Sequence, residues 1–271
     1  MLTARGAEIV QEKGALIVSG ALESGAFSLP GHISSQYVSG LLFALPLLRG
    51  DSEIRLTSPL VSGGYADMTL DALRAFGILI DRRGDAFFVP GGQKYSSPGA
   101  VTCEGDCSAG AVWRAANAMG QKIEIIGLPA VTRQPDAGIE QLIGRKEIDC
   151  AAAPDLMPLL CVLAAVTAGE TRLTGIKRLS GKESDRPRAM AAALRALGIR
   201  CEQTDDALTI TGGQPTGGRV SGANDHRVVM ALAILATKCA APVEITDAEA
   251  VNKSYPAFWR DFERLTEKSH V

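Results

Sequence analysis

The sequence predicts a mixed α/β protein built from a repeated unit in which sheets wrap around inner helices. Three observations carry that expectation. A polar turn, a small-residue helix, a glycine and a short β-branched strand recur four times along the 271 residues. Strands alternate with helices throughout, the signature of mixed α/β layering. Two of the predicted helices, 156–166 and 228–236, are apolar on nearly every face, and such helices are buried rather than surface-lying.

Residues 7–10 and 15–18 read as a strand pair with no helix before it. They match the closing pair of a repeat, so the chain is expected to begin inside one. A lone pair cannot bury its face, so further sequence or a partner is expected to supply the cover. The first full copy opens at Ser34-Ser35-Gln36, with a helix over 37–48 and a strand over 53–56. A second helix (65–76) and a hairpin-like pair (77–80 with 86–89) complete it. The Gly- and Pro-rich stretch 90–99 separates two bodies, taken as domains 1–100 and 101–271. The second copy opens at Asp106-Cys107-Ser108, with a helix over 109–119 and a strand over 122–126. It is shortened: 138–155 has room for one short helix and one strand. The third runs from Pro154-Asp155 through a helix to 167, a strand over 171–174, a helix over 186–197 and a pair at 198–201 and 207–210. The fourth opens at Asn224-Asp225-His226-Arg227, with a helix to 237, a strand over 243–246 and a helix over 255–265.

Composition narrows the function. Apolar residues make up 46% and charged residues 21%, and 28 basic against 30 acidic side chains leave a net charge of −2. No global field favours nucleic acid or an anionic membrane, so any anion site is local. The longest apolar runs are too short for a membrane span and are broken by Gly40 and Pro46 or by Pro158. The six cysteines sit mostly in apolar patterns, and Cys103 and Cys107 lack the His or second pair that a zinc site needs. Buried, reduced thiols and a cytoplasmic location are expected.

Four cations fall at helix entrances: Lys182 and Arg186, then Arg227, then Lys253. A helix N-terminus already favours anions, and cations there raise the preference for phosphate or carboxylate. A purely structural pattern would place acids in the first turn, so an anionic ligand is the economical explanation. In Lys182-Glu183-Ser184-Asp185-Arg186-Pro187, Pro187 pre-sets the first turn while Ser184 or Asp185 caps it. Ser34-Ser35-Gln36 reads as a serine cap, with Gln36 adding an amide where a ligand oxygen can bind. Asp155 follows Pro154 in an apolar context, either as a helix cap or as a partly buried general base. There is no His pair for a metal, no phosphate-binding Gly-rich loop and no defensible Ser/His/Asp set.

Ser34-Ser35-Gln36, Leu60-Val61-Ser62 with Tyr65, Gly105-Asp106, Pro154-Asp155, Lys182-Glu183-Ser184-Asp185-Arg186, Asn224-Asp225-His226-Arg227 and Val251-Asn252-Lys253-Ser254-Tyr255-Pro256 occur in order along the chain. In order and spacing they resemble the 5-enolpyruvylshikimate-3-phosphate synthase family, the 3-phosphoshikimate 1-carboxyvinyltransferases. The resemblance implies the enolpyruvyl transferase fold of βαβαββ-type repeats, an inside-out α/β barrel, with one complete domain and part of a second. It implies transfer of the enolpyruvyl group of phosphoenolpyruvate to the 5-hydroxyl of shikimate 3-phosphate, with release of phosphate, in aromatic amino acid biosynthesis. By the same resemblance Asp155 takes the hydroxyl proton and Glu183 handles the proton at C3. Ser34, Ser35, Gln36, Ser62, Asp155 and Lys182 are implied to bind shikimate 3-phosphate, and Gln36, Arg186, Arg227 and Lys253 to hold phosphoenolpyruvate. No metal or organic cofactor, nucleic acid or membrane is implied, and the full-length enzyme is expected to be a monomer.

The chain resembles the C-terminal three-fifths of such enzymes. The remainder, which carries further substrate-binding cations, is expected to be missing or supplied in trans, and the isolated chain to have little or no activity. A non-catalytic remnant that binds shikimate 3-phosphate is the alternative. A UDP-N-acetylglucosamine enolpyruvyl transferase is a weaker one, because Ser-Ser-Gln and Asn-Asp-His-Arg look like the shikimate enzyme.

Overall fold

The computed structural model describes residues 2–267, and the expected alternation of strands and helices runs through it. The chain divides into two units, Met1–Cys103 and Glu104–Val271. The first holds strands β1 (Ala7–Glu12), β2 (Ala15–Gly20) and β3 (Ala26–Leu29), helix α1 (Ser35–Ala44) and strand β4 (Ser52–Leu56). Helix α2 (Gly63–Ala75) and strands β5 (Asp81–Arg83) and β6 (Ala86–Val89) follow. The second holds α3 (Cys107–Ala118), α4 (Ile139–Leu142), β7 (Glu147–Asp149), α5 (Met157–Val166), β8 (Glu170–Thr174), α6 (Arg186–Ala196), β9 (Arg200–Gln203) and β10 (Ala207–Thr211). It ends with β11 (Gly218–Ser221), α7 (His226–Ala236), β12 (Val243–Thr246) and α8 (Phe258–Glu267).

Sheet topology makes the repeat explicit. In the first unit the strand order is β3-β4-β6-β5, and in the second β7-β8-β10-β9. In both, the opening strand runs parallel to the next one and the closing hairpin is antiparallel to it. A parallel pair requires a crossover, and the helices between these strands supply it. β11 and β12 are again parallel and open a further copy around α7. The sequence reading missed β3 and β11, the short strands that precede each polar turn.

The helices between parallel strands form the core. Nine of the ten residues of α5 are buried, as are nine of the eleven of α7. Each fully buried Leu, Ile or Val there contributes about 1.5–3 kcal/mol. A smaller core surrounds Phe27, Leu42, Ile54, Leu73 and Phe87 in the first unit.

Several boundaries shift for local reasons. α1 stops at Ala44 and passes into a 3-10 turn over Leu45–Leu47, because Pro46 has no N–H to continue the ladder. The hairpins begin at Asp81 and Arg200 rather than at Gly77 and Gly198, because those glycines end helices. Gly77 (φ +78°) donates to Arg74 O and Ile78 to Leu73 O; Gly198 (φ +80°) donates to Arg195 O and Ile199 to Leu194 O. This paired closure needs a left-handed residue, which glycine adopts without strain. α8 starts at Phe258 rather than Tyr255, since the residue before Pro256 avoids helical geometry.

The strand expected over 122–126 does not form. Within it the backbone of Ile123 pairs with Asn117 instead, whose side chain accepts from Ile123 N and donates to Ile123 O, both at 2.8 Å. Cys103 is exposed, contrary to the expectation of buried thiols; Cys107, Cys150, Cys161 and Cys201 are buried. β1 and β2 pair as expected and are exposed along nearly their whole length, Leu16 to 65% and Val18 to 62%. Among the described residues no helix is long and apolar enough to cross a membrane.

One close approach gives a stability test. A Cβ on Gly212 would lie 1.7 Å from the carbonyl oxygen of Thr167, at the end of α5. Gly212→Ala is expected to destabilise the second unit by about 1–3 kcal/mol, read as a lowered urea midpoint.

Candidate active site

The residues with the densest chemistry meet where three segments of the second unit converge: the 3-10 turn Pro154–Leu156, the entrance of α6 and the entrance of α7. Asp185 caps α6, accepting from Arg188 N, while Ser184 turns away and donates to Asp225 Oδ2 at 3.0 Å. Asp225 caps α7, accepting from Arg227 N at 2.9 Å. Just before it Ala223 (φ +53°) and Asn224 (φ +49°) both take left-handed backbone, an arrangement that costs free energy and concentrates at functional sites.

Arg186 is the hub. Its side chain is 1% exposed and donates to three carboxylates: Nε to Asp225 Oδ2 at 2.8 Å, Nη1 to Asp155 Oδ1 at 2.6 Å and Nη2 to Glu183 Oε2 at 2.6 Å. A planar fork of five N–H donors serves three acceptors in this way, one at each of its nitrogens. Asp155 is no helix cap. Its Oδ1 takes Arg186 and lies 3.9 Å from Lys182 Nζ, and its Oδ2 is 3.0 Å from Arg227 Nη2. Burial alone would raise the Asp155 pKa, but Arg227, Arg186 and Lys182 overcome it and hold the carboxyl below its ordinary range. Asp225 is lowered in the same way, with burial outweighed chiefly by Arg186.

On the far side of Arg227, its Nη1 lies 3.6 Å from Oδ2 of Asp136, which also accepts the Ser108 hydroxyl. His226 is buried, and among the described residues its Nδ1 has no hydrogen-bond partner; burial and then Arg227 lower its pKa, favouring the neutral ring. Lys253 is tied to Asn224, with Nζ 3.0 Å from Oδ1, which sets it beside the α7 entrance. The aromatic group around Phe258, stacked on Trp113 at 5.7 Å, anchors the segment that follows.

The structure therefore brings together Asp155, Lys182, Glu183, Arg186 and Arg227, with Lys253 adjacent through Asn224. Ser34, Ser35, Gln36 and Ser62 belong to the first unit. Ser34 caps α1, its Oγ accepting from Gln36 N at 3.2 Å, while Ser35 is buried and Gln36 exposed. Ser62 is buried at the start of α2 in left-handed backbone (φ +55°), unusual for a residue with a Cβ. A groove of about 460 Å³ along α6 toward β11 shares Ser184 but none of the catalytic candidates, so the charged cluster is the better site. Two partners escaped the sequence reading. Asp225 was legible only as a motif letter, and Asp136, in Gln134-Pro135-Asp136, carried no signal beyond a turn.

Such a cluster of opposed carboxylates and guanidiniums suits an anionic substrate that undergoes proton transfer. A family model described as EPSP synthase (3-phosphoshikimate 1-carboxyvinyltransferase) matches residues 1–146 and 138–262. The chain belongs to the EPSP synthase family. The 3-phosphoshikimate 1-carboxyvinyltransferase of Clostridium acetobutylicum is 41% identical over 92% of this chain and 63% of its own length. That of Clostridium kluyveri is 40% identical over 92% and 64%. The chain thus spans somewhat less than two thirds of the relatives it matches. Among solved structures, EPSP synthase from Acinetobacter baumannii superposes with a TM-score of 0.78 at 26% identity, covering 97% of this chain and 68% of that one. The enolpyruvyl transferase NikO from Streptomyces tendae, at 17% identity and a TM-score of 0.72 over 98% of this chain and 69% of its own, shares the fold. The two segments matched by the EPSP synthase model overlap at 138–146, inside the shortened second copy.

Proposed function

We propose that this chain carries the catalytic carboxylates and part of the substrate-binding surface for enolpyruvyl transfer from phosphoenolpyruvate to the 5-hydroxyl of shikimate 3-phosphate. The observation that supports it most is the Arg186–Asp155–Arg227 chain, in which the candidate base is clamped by the two candidate anion-binding guanidiniums. Residues 1–100 and 101–271 are then portions of the two family domains. Arg186, Arg227 and Lys253 hold phosphoenolpyruvate together with Gln36. Ser34, Ser35, Gln36, Ser62, Asp155 and Lys182 hold shikimate 3-phosphate.

In this reading Asp155 takes the proton of the 5-hydroxyl as its oxygen bonds to C2 of phosphoenolpyruvate, while Glu183 gives a proton to C3. The tetrahedral adduct then collapses: the C2–O bond to phosphate breaks, C3 returns a proton to Glu183, and the proton on Asp155 leaves with phosphate. Without substrate the two arginines depress the basicity of Asp155. A bound anion that takes over their donors restores it, so binding and base strength are coupled.

Calorimetric titration of the purified chain tests the reading, alongside an assay of phosphate release from the two substrates together. Binding of phosphoenolpyruvate that is weakened at least tenfold by Arg227→Ala is expected. Absence of binding for both substrates, with no release of phosphate, would sink the proposal.

A further inference from the structure

We infer that Asp136 is a positioning residue for Arg227, holding from the buried side the guanidinium offered to the anion; the inference rests on the function proposed above. The residue lies in the 3-10 turn Pro135–Gly138, and that turn is fastened to the entrance of α3. Gln134 makes the fastening: its Oε1 accepts from Cys107 N at 2.8 Å, and its Nε2 donates to Gly105 O at 2.9 Å. Asp136 is thereby delivered to a fixed place, 1% exposed, where an isolated carboxylate would be costly. Burial pushes its pKa up, and Arg227 and the Ser108 hydroxyl pull it back.

The two ends of the Arg227 fork have different fates. Nη2 faces Asp155, which is 18% exposed and shares its charge with Arg186 and Lys182; Nη1 faces Asp136, which is sealed. An incoming anion can displace Asp155 from Nη2, but it cannot reach Asp136 without opening the packing around it. Asp136 therefore stays on Arg227 in both states. It confines a side chain that is otherwise rich in rotamers, and so lowers the cost of ordering the arginine when the anion binds. Ser108 acts one step further back, holding the carboxylate by its hydroxyl.

Simple electrostatics predicts the opposite sign, since removing a negative charge beside a cation should tighten anion binding. That contrast makes the test decisive. Phosphoenolpyruvate is titrated into the wild-type chain, Asp136→Asn and Ser108→Ala, with thermal melting as the check on folding. Asp136→Asn is expected to bind about tenfold more weakly, the size of one lost ion pair at a partly buried place, and Ser108→Ala, which keeps both charges, about threefold more weakly. Unchanged or tighter binding in both variants overturns the inference. If Asp136→Asn does not fold, Ser108→Ala decides.

A ligand-free measurement separates this inference from the function it rests on. Hindered rotation of the Arg227 guanidinium, followed by nitrogen NMR, is expected in the wild type and at least threefold faster exchange in Ser108→Ala. If the wild type binds no phosphoenolpyruvate, the proposed substrate fails, and equal exchange rates would overturn the positioning role by itself.

Discussion

Replacing Arg186 by Met is expected to destabilise the unit Glu104–Val271 by about 3–5 kcal/mol, the cost of breaking a buried ion pair from one side. The reason is geometric. Asp225 is 0% exposed and is held by Arg186 Nε, Ser184 and the Arg227 amide, so the substitution leaves a buried carboxylate without its cation. Asp155 retains Arg227 and Lys182 and suffers less. Both tryptophans, Trp113 and Trp259, lie in this unit, so their fluorescence in a urea titration reports on it directly. Arg186→Lys should fall in between, because one ammonium nitrogen cannot reach carboxylates that are met by three separate guanidinium nitrogens.

The pH dependence gives an independent reading with a definite sign. Asp155 and Asp225 have folded pKa values below their unfolded ones. They contribute stability that is present above about pH 4, the unfolded carboxylate value, and lost as pH falls through the lower folded values. Asp136 works the other way: its raised pKa adds stability below the unfolded value that is lost as pH rises. In Arg186→Met the buried Asp225 favours its neutral form, so the variant should gain stability relative to wild type on acidification from pH 7 to pH 5. A loss under 1 kcal/mol at pH 7, with no such relative gain, would refute the hub role.

Asp155→Asn is expected to move two measurements in opposite directions. Whatever turnover the chain supports should fall by about 10²–10⁴-fold, the usual contribution of a positioned general base, which is the role proposed for Asp155. Phosphoenolpyruvate should bind more tightly, by about tenfold if one charge-assisted contact is released, because the carboxylate that occupies Arg227 Nη2 and Arg186 Nη1 no longer competes for them. Folding should be preserved, since Arg186 keeps Glu183 and Asp225. Calorimetry alone checks the binding arm, whatever the turnover of the chain. Weaker binding would show that Asp155 supports the anion site rather than competing with it. The contrast with Asp136→Asn, expected to bind less tightly, separates a carboxylate that yields to the ligand from one that stays behind the arginine.

Much of this was legible in the chain itself. Periodicity is a local property, so the repeat and the buried character of α5 and α7 could be read from residue order, whereas Gly77 and Gly198, read as strand starts, close helices instead. The missed opening strands β3 and β11 are only four residues long, and pairing rather than propensity makes them strands. Residues 122–126 show the reverse: a segment with three isoleucines that finds no ladder, with Asn117 bonded to the backbone of its Ile123.

The sequence also determined which charged residues stand at helix mouths, because Lys-Glu-Ser-Asp-Arg and Asn-Asp-His-Arg place cations where a structural pattern would place acids. It could not say how those charges neutralise one another. That Asp155 is clamped rather than capping, that Arg186 serves three carboxylates and that Asp136 stands behind Arg227 are contacts between segments 31, 39 and 91 residues apart. Electrostatic energy depends on distance and burial in space, not along the chain, so only the tertiary structure decided which carboxylate neutralises which cation.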